Sequence, residues 1–256
     1  MRIATWNVNS LAARLPRVEE WIRYAEPDVL CVQETKQADA TFPYGAFAAL
    51  GYEAAHHGDG RWNGVAIISR VGLSGVESGM GPDDAQGSRL IAADCGGVRV
   101  LSVYVPNGRS LDSDHYQAKL AWLARLRSIL DDTSSPDQPV AVCGDFNVAP
   151  EDRDVWDPAQ FVGMTHVSQP ERHALADLQA WGLVDVFRRL YDDDRLFSWW
   201  DYRGGSFHKH QGMRIDLILV TEALARRTTY GLIDRNARKG QKPSDHTPVL
   251  IDTSVD

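Results

Sequence analysis

In "GDFN" an acid and an amide, Asp145 and Asn147, stand two positions apart at the end of the apolar run "PVAVC". In an extended segment that spacing puts both side chains on one face. One carboxylate with one amide oxygen is a hard-oxygen donor pair, suited to Mg²⁺ or Mn²⁺ rather than to Zn²⁺. Glu34 follows another apolar run, "DVLCV"; taken alone it reads more readily as a cap or an ion-pair partner than as a metal ligand. Asp245 and His246 are adjacent in "PSDHTPV". Neighbours on extended backbone point different ways, so the two need not be partners. Asp216 in "RIDLILV" is then the candidate for fixing the His246 tautomer. With Tyr104 available for hydrogen bonding, these groups suit hydrolysis of a phosphoester. A divalent cation neutralises phosphate oxygens, a carboxylate orients or deprotonates water, and an imidazole stabilises the charge of the transition state.

Other chemistries lack their anchors. The chain has neither H-E-x-x-H nor paired cysteines for zinc, and His208 and His210 in "HKH" read as loop residues. There is no G-x-S-x-G, and Ser244, two residues from His246, is poorly placed for a triad. P-loop and G-x-G-x-x-G signatures are absent as well.

Each of the four ends that carry these groups closes an apolar, β-rich run. "RIATW" leads into Asn7, "DVLCV" into Gln33 and Glu34, "VRVLSVYV" contains Tyr104 and exits at Asn107, and "PVAVC" leads into Asp145. Further runs are "GVAIISR", "RLIAAD", "RIDLILV" and "TPVLID". Several are nearly continuous rather than alternating, the pattern of strands covered on both faces. Helices are expected through "RVEEWIRYA", through 113–132 with Asp112 or Ser113 as cap, and through 171–182 with Gly182 as the stop. Strands alternating with helices describe an α/β chain whose strand ends meet at a common edge. The stretch 151–170 is too long for a plain connection and is expected to be functional or locally structured.

At 256 residues, 43% hydrophobic and 24% charged, with no repeat and no low-complexity linker, the chain is expected to be one globular domain spanning 1–256. The amino terminus lacks the apolar core of a signal peptide, and no apolar run reaches the ~18 residues of a membrane span. Cys31, Cys95 and Cys143 are odd in number and lie in or beside apolar runs, the usage of a reduced, cytoplasmic protein. The formal charge of −8 argues against indiscriminate nucleic-acid binding. Residues 203–242, however, hold nine Lys/Arg against three acids, a +6 segment that is either a face for a polyanion or a solvated basic face.

In order along the chain, "WNVNSL", "QETK", "GVAIIS", "VYVPNG", "GDFNVAP", "RIDLIL" and "PSDHTPV" resemble the exonuclease III family of abasic-site endonucleases, within the endonuclease/exonuclease/phosphatase superfamily. The likeness extends from Ile3 to Val249. It implies a four-layer α/β sandwich, two mixed β-sheets packed face to face with helices outside and the active site at one edge. It further implies that Asn7, Glu34 and Asp245 surround a Mg²⁺ position, with Glu34 the principal ligand. Asp145, held near Asn147, would activate the attacking water or serve a second metal. Asp216 would orient His246 at the scissile phosphate, and Tyr104 would act as a hydrogen-bond donor or a phenolate. Asp145, Asn147 and His246 thus belong to the catalytic set and to the wider candidate metal set, for one or two ions.

The segment "FSWWDYRGGSFHKHQGMRID" resembles the part of such enzymes that pockets a flipped, baseless sugar, with Trp199, Met213 and Ile215 at the pocket positions; the alternative is that the tryptophans are ordinary core. Arg89, Asn107, Arg109 and Lys242 are candidate phosphate contacts. The implied activity is Mg²⁺-dependent incision of duplex DNA 5′ to abasic sites, leaving a 3′ hydroxyl, with 3′ exonuclease or 3′ end trimming, in a monomer. Two alternatives stand beside it: another phosphoesterase of the superfamily acting on a small phosphate or lipid headgroup, and a catalytically silent DNA-binding homologue.

Overall fold

A computed structural model describes residues 1–81 and 86–254. Twelve strands form two six-stranded sheets. The first runs β13 (Thr228–Ile233), β14 (Val249–Thr253), β1 (Arg2–Asn7), β2 (Val29–Gln33), β4 (Val65–Ser69), β3 (Glu53–His57). The second runs β5 (Ser74–Ser78), β6 (Leu90–Cys95), β7 (Val98–Tyr104), β8 (Val140–Asp145), β12 (Asp216–Thr221), β9 (Leu183–Asp185). Both are mixed. β1 pairs with β2 and β7 with β8 in parallel, whereas the remaining pairs within the two sheets are antiparallel. The two parallel pairs are each joined by a long crossover helix, α1 (Leu11–Ala25) and α3 (Asp114–Thr133), as a parallel connection requires.

The inner faces of the sheets share one apolar core that includes Ile3, Cys31 and Ile67 from the first sheet and Ile91, Val100, Cys143 and Ile218 from the second. The outer face of the first sheet, with Ala4, Trp6, Leu30 and Ile68, packs on α1 and on α2 (Tyr44–Ala48). The outer face of the second, with Leu101, Val142 and Leu219, packs on α3 and on α4 (Gln169–Ala180). Alternate residues of β1 thus enter two different cores, which is why the strand reads as continuously apolar. Helix, sheet, sheet, helix are the four layers expected from the sequence.

All eight strands expected from the sequence are present. α3 starts from Ser113, whose hydroxyl accepts the Tyr116 N–H. α4 begins with a reciprocal capping box between Ser168 and Glu171. α1, however, begins at Leu11, six residues before the expected start, and carries Pro16 inside it. Proline ordinarily marks a boundary because it removes an internal hydrogen bond; here Leu11, Val18, Trp21 and Ile22, all buried against the sheet, carry the helix across it. The short elements α5 (Val186–Leu190), α6 (Glu222–Ala225) and the two-stranded ribbon of β10 (Trp199–Trp200) and β11 (Gly212–Met213) complete the chain.

Candidate active site

Register brings the chemistry together. Across the second sheet Tyr104 is paired with Asp145 and Asp145 with Asp216, so three strands end side by side in three polar residues. Across the first sheet Asn7 pairs with Gln33, which puts Glu34 just beyond the same edge. The segment holding Asp245 and His246 passes between the two sets. Its Ser244 hydroxyl donates to the Asn7 carbonyl (2.7 Å) and accepts the His246 N–H (3.2 Å). Ser244 is therefore a backbone pin.

The side chains meet at short range. The Asn7 Nδ2 donates to Glu34 Oε1 and to Asp145 Oδ2, both at 2.9 Å, bridging the two sheets. Lys36 Nζ lies 2.8 Å from Glu34 Oε2. His246 Nδ1 donates to Asp216 Oδ2 at 2.9 Å, and that oxygen also accepts the Ser198 hydroxyl at 2.6 Å. His246 Nε2 faces Asp145 Oδ2 at 3.7 Å. Glu34, Asp145 and His246 each offer a ligand atom within 4.8 Å of the others, a cluster able to hold a metal ion. Asp245 points elsewhere, accepting from Asn9 Nδ2 (3.0 Å) and Trp199 Nε1 (3.1 Å), yet it lines the same cavity.

Electrostatics separate the roles open to these groups. Burial, with Asp216 adding to it, pushes the Asp145 carboxyl up to about 7, against the pull of His246. Burial would lower the His246 imidazolium, but Asp216 and Asp145 outweigh it and raise the group to about 10, so it carries its proton at neutral pH. Burial would also raise Glu34; the Lys36 ammonium and the Asn7 amide hold it below its ordinary value instead. Burial and the charges of Glu34 and Asp145 push the Tyr104 phenol well up. That environment favours the donor over the phenolate.

A cavity of about 270 Å³ opens onto this cluster, and Trp199, Met213 and Ile215 form its apolar wall. Met213 and Ile215 are buried beside Val155 and Ala149, while Trp199 is half-buried. The two tryptophans part company: Trp200 is core, edge-on to Phe207, and Trp199 faces the cavity.

Two expectations change. Asp145 and Asn147 do not share a face of extended backbone, because Asn147 sits at φ 50°. They meet through a turn in which the Asn147 N–H donates to Asp145 Oδ1 at 2.9 Å. The +6 segment is not a single basic face: Arg214 is buried between Asp154 and Asp185, Arg203 pairs with Asp201, and Arg226 pairs with Glu222. Of the four candidate phosphate contacts, Asn107 lines the cavity, whereas Arg89 bonds the Tyr104 carbonyl and stacks on its ring, and Arg109 and Lys242 are exposed beyond the cavity wall.

The sequence reading missed His166, Lys36, Asn9 and Ser198. His166 comes from the long 151–170 stretch and reaches the cavity, with Nε2 3.1 Å from Asn147 Oδ1 and 3.2 Å from Asn107 Nδ2. Burial and Lys119 lower it to about 4, leaving it neutral. Asn9, Glu34, Lys36, Asn147 and His166 all have positive φ, and such backbone strain gathers where function fixes geometry.

Two mixed sheets, with convergent carboxylates and a charged imidazole at one edge, define a phosphoester hydrolase. A model of the Endonuclease/Exonuclease/phosphatase family matches residues 4–246. The chain is 34% identical to Exodeoxyribonuclease III of Haemophilus influenzae, over 97% of this chain and 98% of that protein. An AP endonuclease from Archaeoglobus fulgidus superposes with a TM-score of 0.97 at 38% identity, covering all of both chains. A 3′ phosphatase from Neisseria bound to a product DNA hairpin superposes with a TM-score of 0.96 at 37% identity, again over all of both chains. The chain belongs to the exonuclease III/AP endonuclease family within that superfamily. It is a phosphodiesterase of that type and a DNA repair nuclease by kind.

Proposed function

We propose that the protein is a Mg²⁺-dependent phosphodiesterase that incises duplex DNA 5′ to abasic sites, leaving a 3′ hydroxyl, and that also trims 3′ ends. The observation that carries this reading is the meeting, in one cavity, of the Glu34, Asp145 and His246 cluster with the apolar wall of Trp199, Met213 and Ile215. A nucleotide without its base has little stacking to lose on leaving the helix, and an apolar wall suits a bare sugar.

The donor set fits a hard divalent cation. The carboxylates Glu34, Asp145, Asp216 and Asp245 gather there with the cations His246 and Lys36. Glu34 and Asp145 would hold the ion. Asn7, which turns its amide nitrogen to both, would set their spacing rather than ligate. When bound, the ion supplies charge neutralisation at the phosphate oxygens.

The remaining work falls to the chain's own groups. Asp145, its orientation fixed by the Asn147 N–H, positions the attacking water and takes its proton as the water oxygen bonds to phosphorus and the P–O3′ bond breaks, the departing O3′ taking a proton from solvent to become the 3′ hydroxyl. His246, held by Asp216 and Ser198, donates from Nε2 to the developing charge on phosphate. Tyr104 donates from its hydroxyl beside Glu34.

A second reading, in which 3′ end processing dominates and abasic incision is minor, is supported by the likeness to the Neisseria 3′ phosphatase at full coverage. One experiment separates them. Duplex DNA carrying one internal abasic analogue is incubated beside duplexes ending in a 3′ hydroxyl and a 3′ phosphate, with Mg²⁺ and with chelator. Incision at the analogue in Mg²⁺ alone supports the first reading; activity confined to the 3′ ends supports the second. Turnover undiminished by chelator overturns both.

A further inference from the structure

Arg238 is 7% exposed, yet no carboxylate lies within ion-pair distance of it among the described residues. Its Nη2 makes one long hydrogen bond, 3.4 Å, to the Trp200 carbonyl, and its Nε is buried with no partner. The guanidinium is packed near two aromatic rings instead, 5.1 Å from the centroid of Tyr202 and 5.3 Å from that of Phe207. Arg214 shows the ordinary solution in the same protein, buried between two aspartates. Buried charges are otherwise paired, because an uncompensated one costs several kcal/mol.

The guanidinium borders a cavity of about 330 Å³ whose other walls include Tyr202, Ser206, His208 and Lys239. Among the described residues Asp201 is the one carboxylate on that wall, and Arg203 engages both of its oxygens. Arg14, which bonds the Tyr202 hydroxyl at 3.1 Å, adds a further positive charge at the rim. Asp201 also lines the catalytic cavity, so the two spaces share a wall.

We infer that this second cavity is a phosphate site, in which Arg238 receives a backbone phosphate of the DNA strand whose neighbouring group occupies the catalytic cavity. A planar guanidinium packed against rings presents its remaining N–H groups in a fork, the arrangement that suits a phosphate. The site rests on the reading of DNA as substrate.

The full chain is titrated, in chelator to prevent turnover, against a fluorescent duplex bearing an abasic analogue at several salt concentrations. Arg238→Met binds roughly tenfold more weakly at 0.1 M salt, and the slope of log K against log salt falls by about one, the signature of one lost phosphate contact. Arg238→Lys recovers the slope. Arg226→Met, which removes a charge paired with Glu222 at the opposite end of β12, leaves it unchanged.

In a parallel arm, thermal denaturation is followed in millimolar inorganic phosphate. Protection of the wild type but not of Arg238→Met, with an unaltered DNA slope, still supports a phosphate site and assigns it to free phosphate. An Arg238→Met protein that melts like the wild type and shows neither change overturns the inference. Its failure while the wild type still cleaves DNA leaves the catalytic reading intact.

Discussion

Asp145 receives the Asn7 amide, the Asn147 N–H and the field of His246, and its carboxyl still rises to about 7, because burial is the larger effect. A group so placed is poised for proton transfer. Asp145→Asn and His246→Ala are each expected to lower kcat by about 10²–10⁴ while changing DNA affinity only a few-fold, since both act on the transition state. Steady-state kinetics with a parallel binding titration checks this, and near-normal turnover in either variant removes that residue from its role. Trp199→Ala is expected to cut the preference for abasic over intact duplex by roughly tenfold, the scale of one apolar contact in a selective pocket; an unchanged ratio takes Trp199 out of the pocket. Glu34, Asp145, Asp216 and His246 were legible because each is a polar residue within or beside an apolar run. Ser198 and His166 were not, because their partners, Asp216 and Asn147, lie 18 and 19 positions away and nothing local marks the pairing.

At the scale of elements, the strands of the two large sheets that the sequence concealed are β3, β5, β9 and β13, the two edges of each sheet, and the short ribbon of β10 and β11 was concealed with them. β5 is exposed throughout, β13 carries an irregularity between Thr228 and Tyr230, and β9 is three residues long. An edge strand covered on fewer sides needs fewer apolar residues, so periodicity fades where the sheet ends. Non-local ion pairs were equally silent. Asp154 in the 151–170 stretch is buried between Arg188 of α5 and Arg214, tying that stretch to the base of the second sheet. Burial would raise its carboxyl, but the Arg214 and Arg188 guanidinium groups hold it below its ordinary value. A depressed carboxylate stabilises the fold above its unfolded value of 3.8 and loses that contribution as pH falls through its folded value. Asp154→Asn is therefore expected to cost about 3 kcal/mol at pH 7, or roughly 6–12 °C in Tm, with the gap closing below pH ~4. Melting curves from pH 7 to pH 2.5 check the sign; a gap that widens in acid refutes it.

Over the whole molecule, a formal charge of −8 sits in a protein that belongs to a family of DNA repair nucleases. Counting charge along 203–242 misread the surface, because Arg214 is buried in ion pairs and Arg203 and Arg226 are paired with acids at the surface. The charge that matters is local: the carboxylates Glu34, Asp145, Asp216 and Asp245 gathered at the shared edge. Mg²⁺ at about 100 times its dissociation constant is expected to add about 2.7 kcal/mol, or roughly 5–10 °C in Tm, without any DNA present. Glu34→Gln should lose most of that shift in a thermal scan, and a full shift in the variant would move the ion elsewhere. Finally, Glu34 is delivered by one sheet and Asp145 by the other, with Cys31, Ile67, Val100 and Ile218 between the layers. The distance between the two charges is therefore set by the thickness of an apolar filling. A methyl group removed deep in that filling, far from any substrate, would retune the spacing as surely as a change at the mouth, and the site inherits the thermal expansion of the core on which it rests.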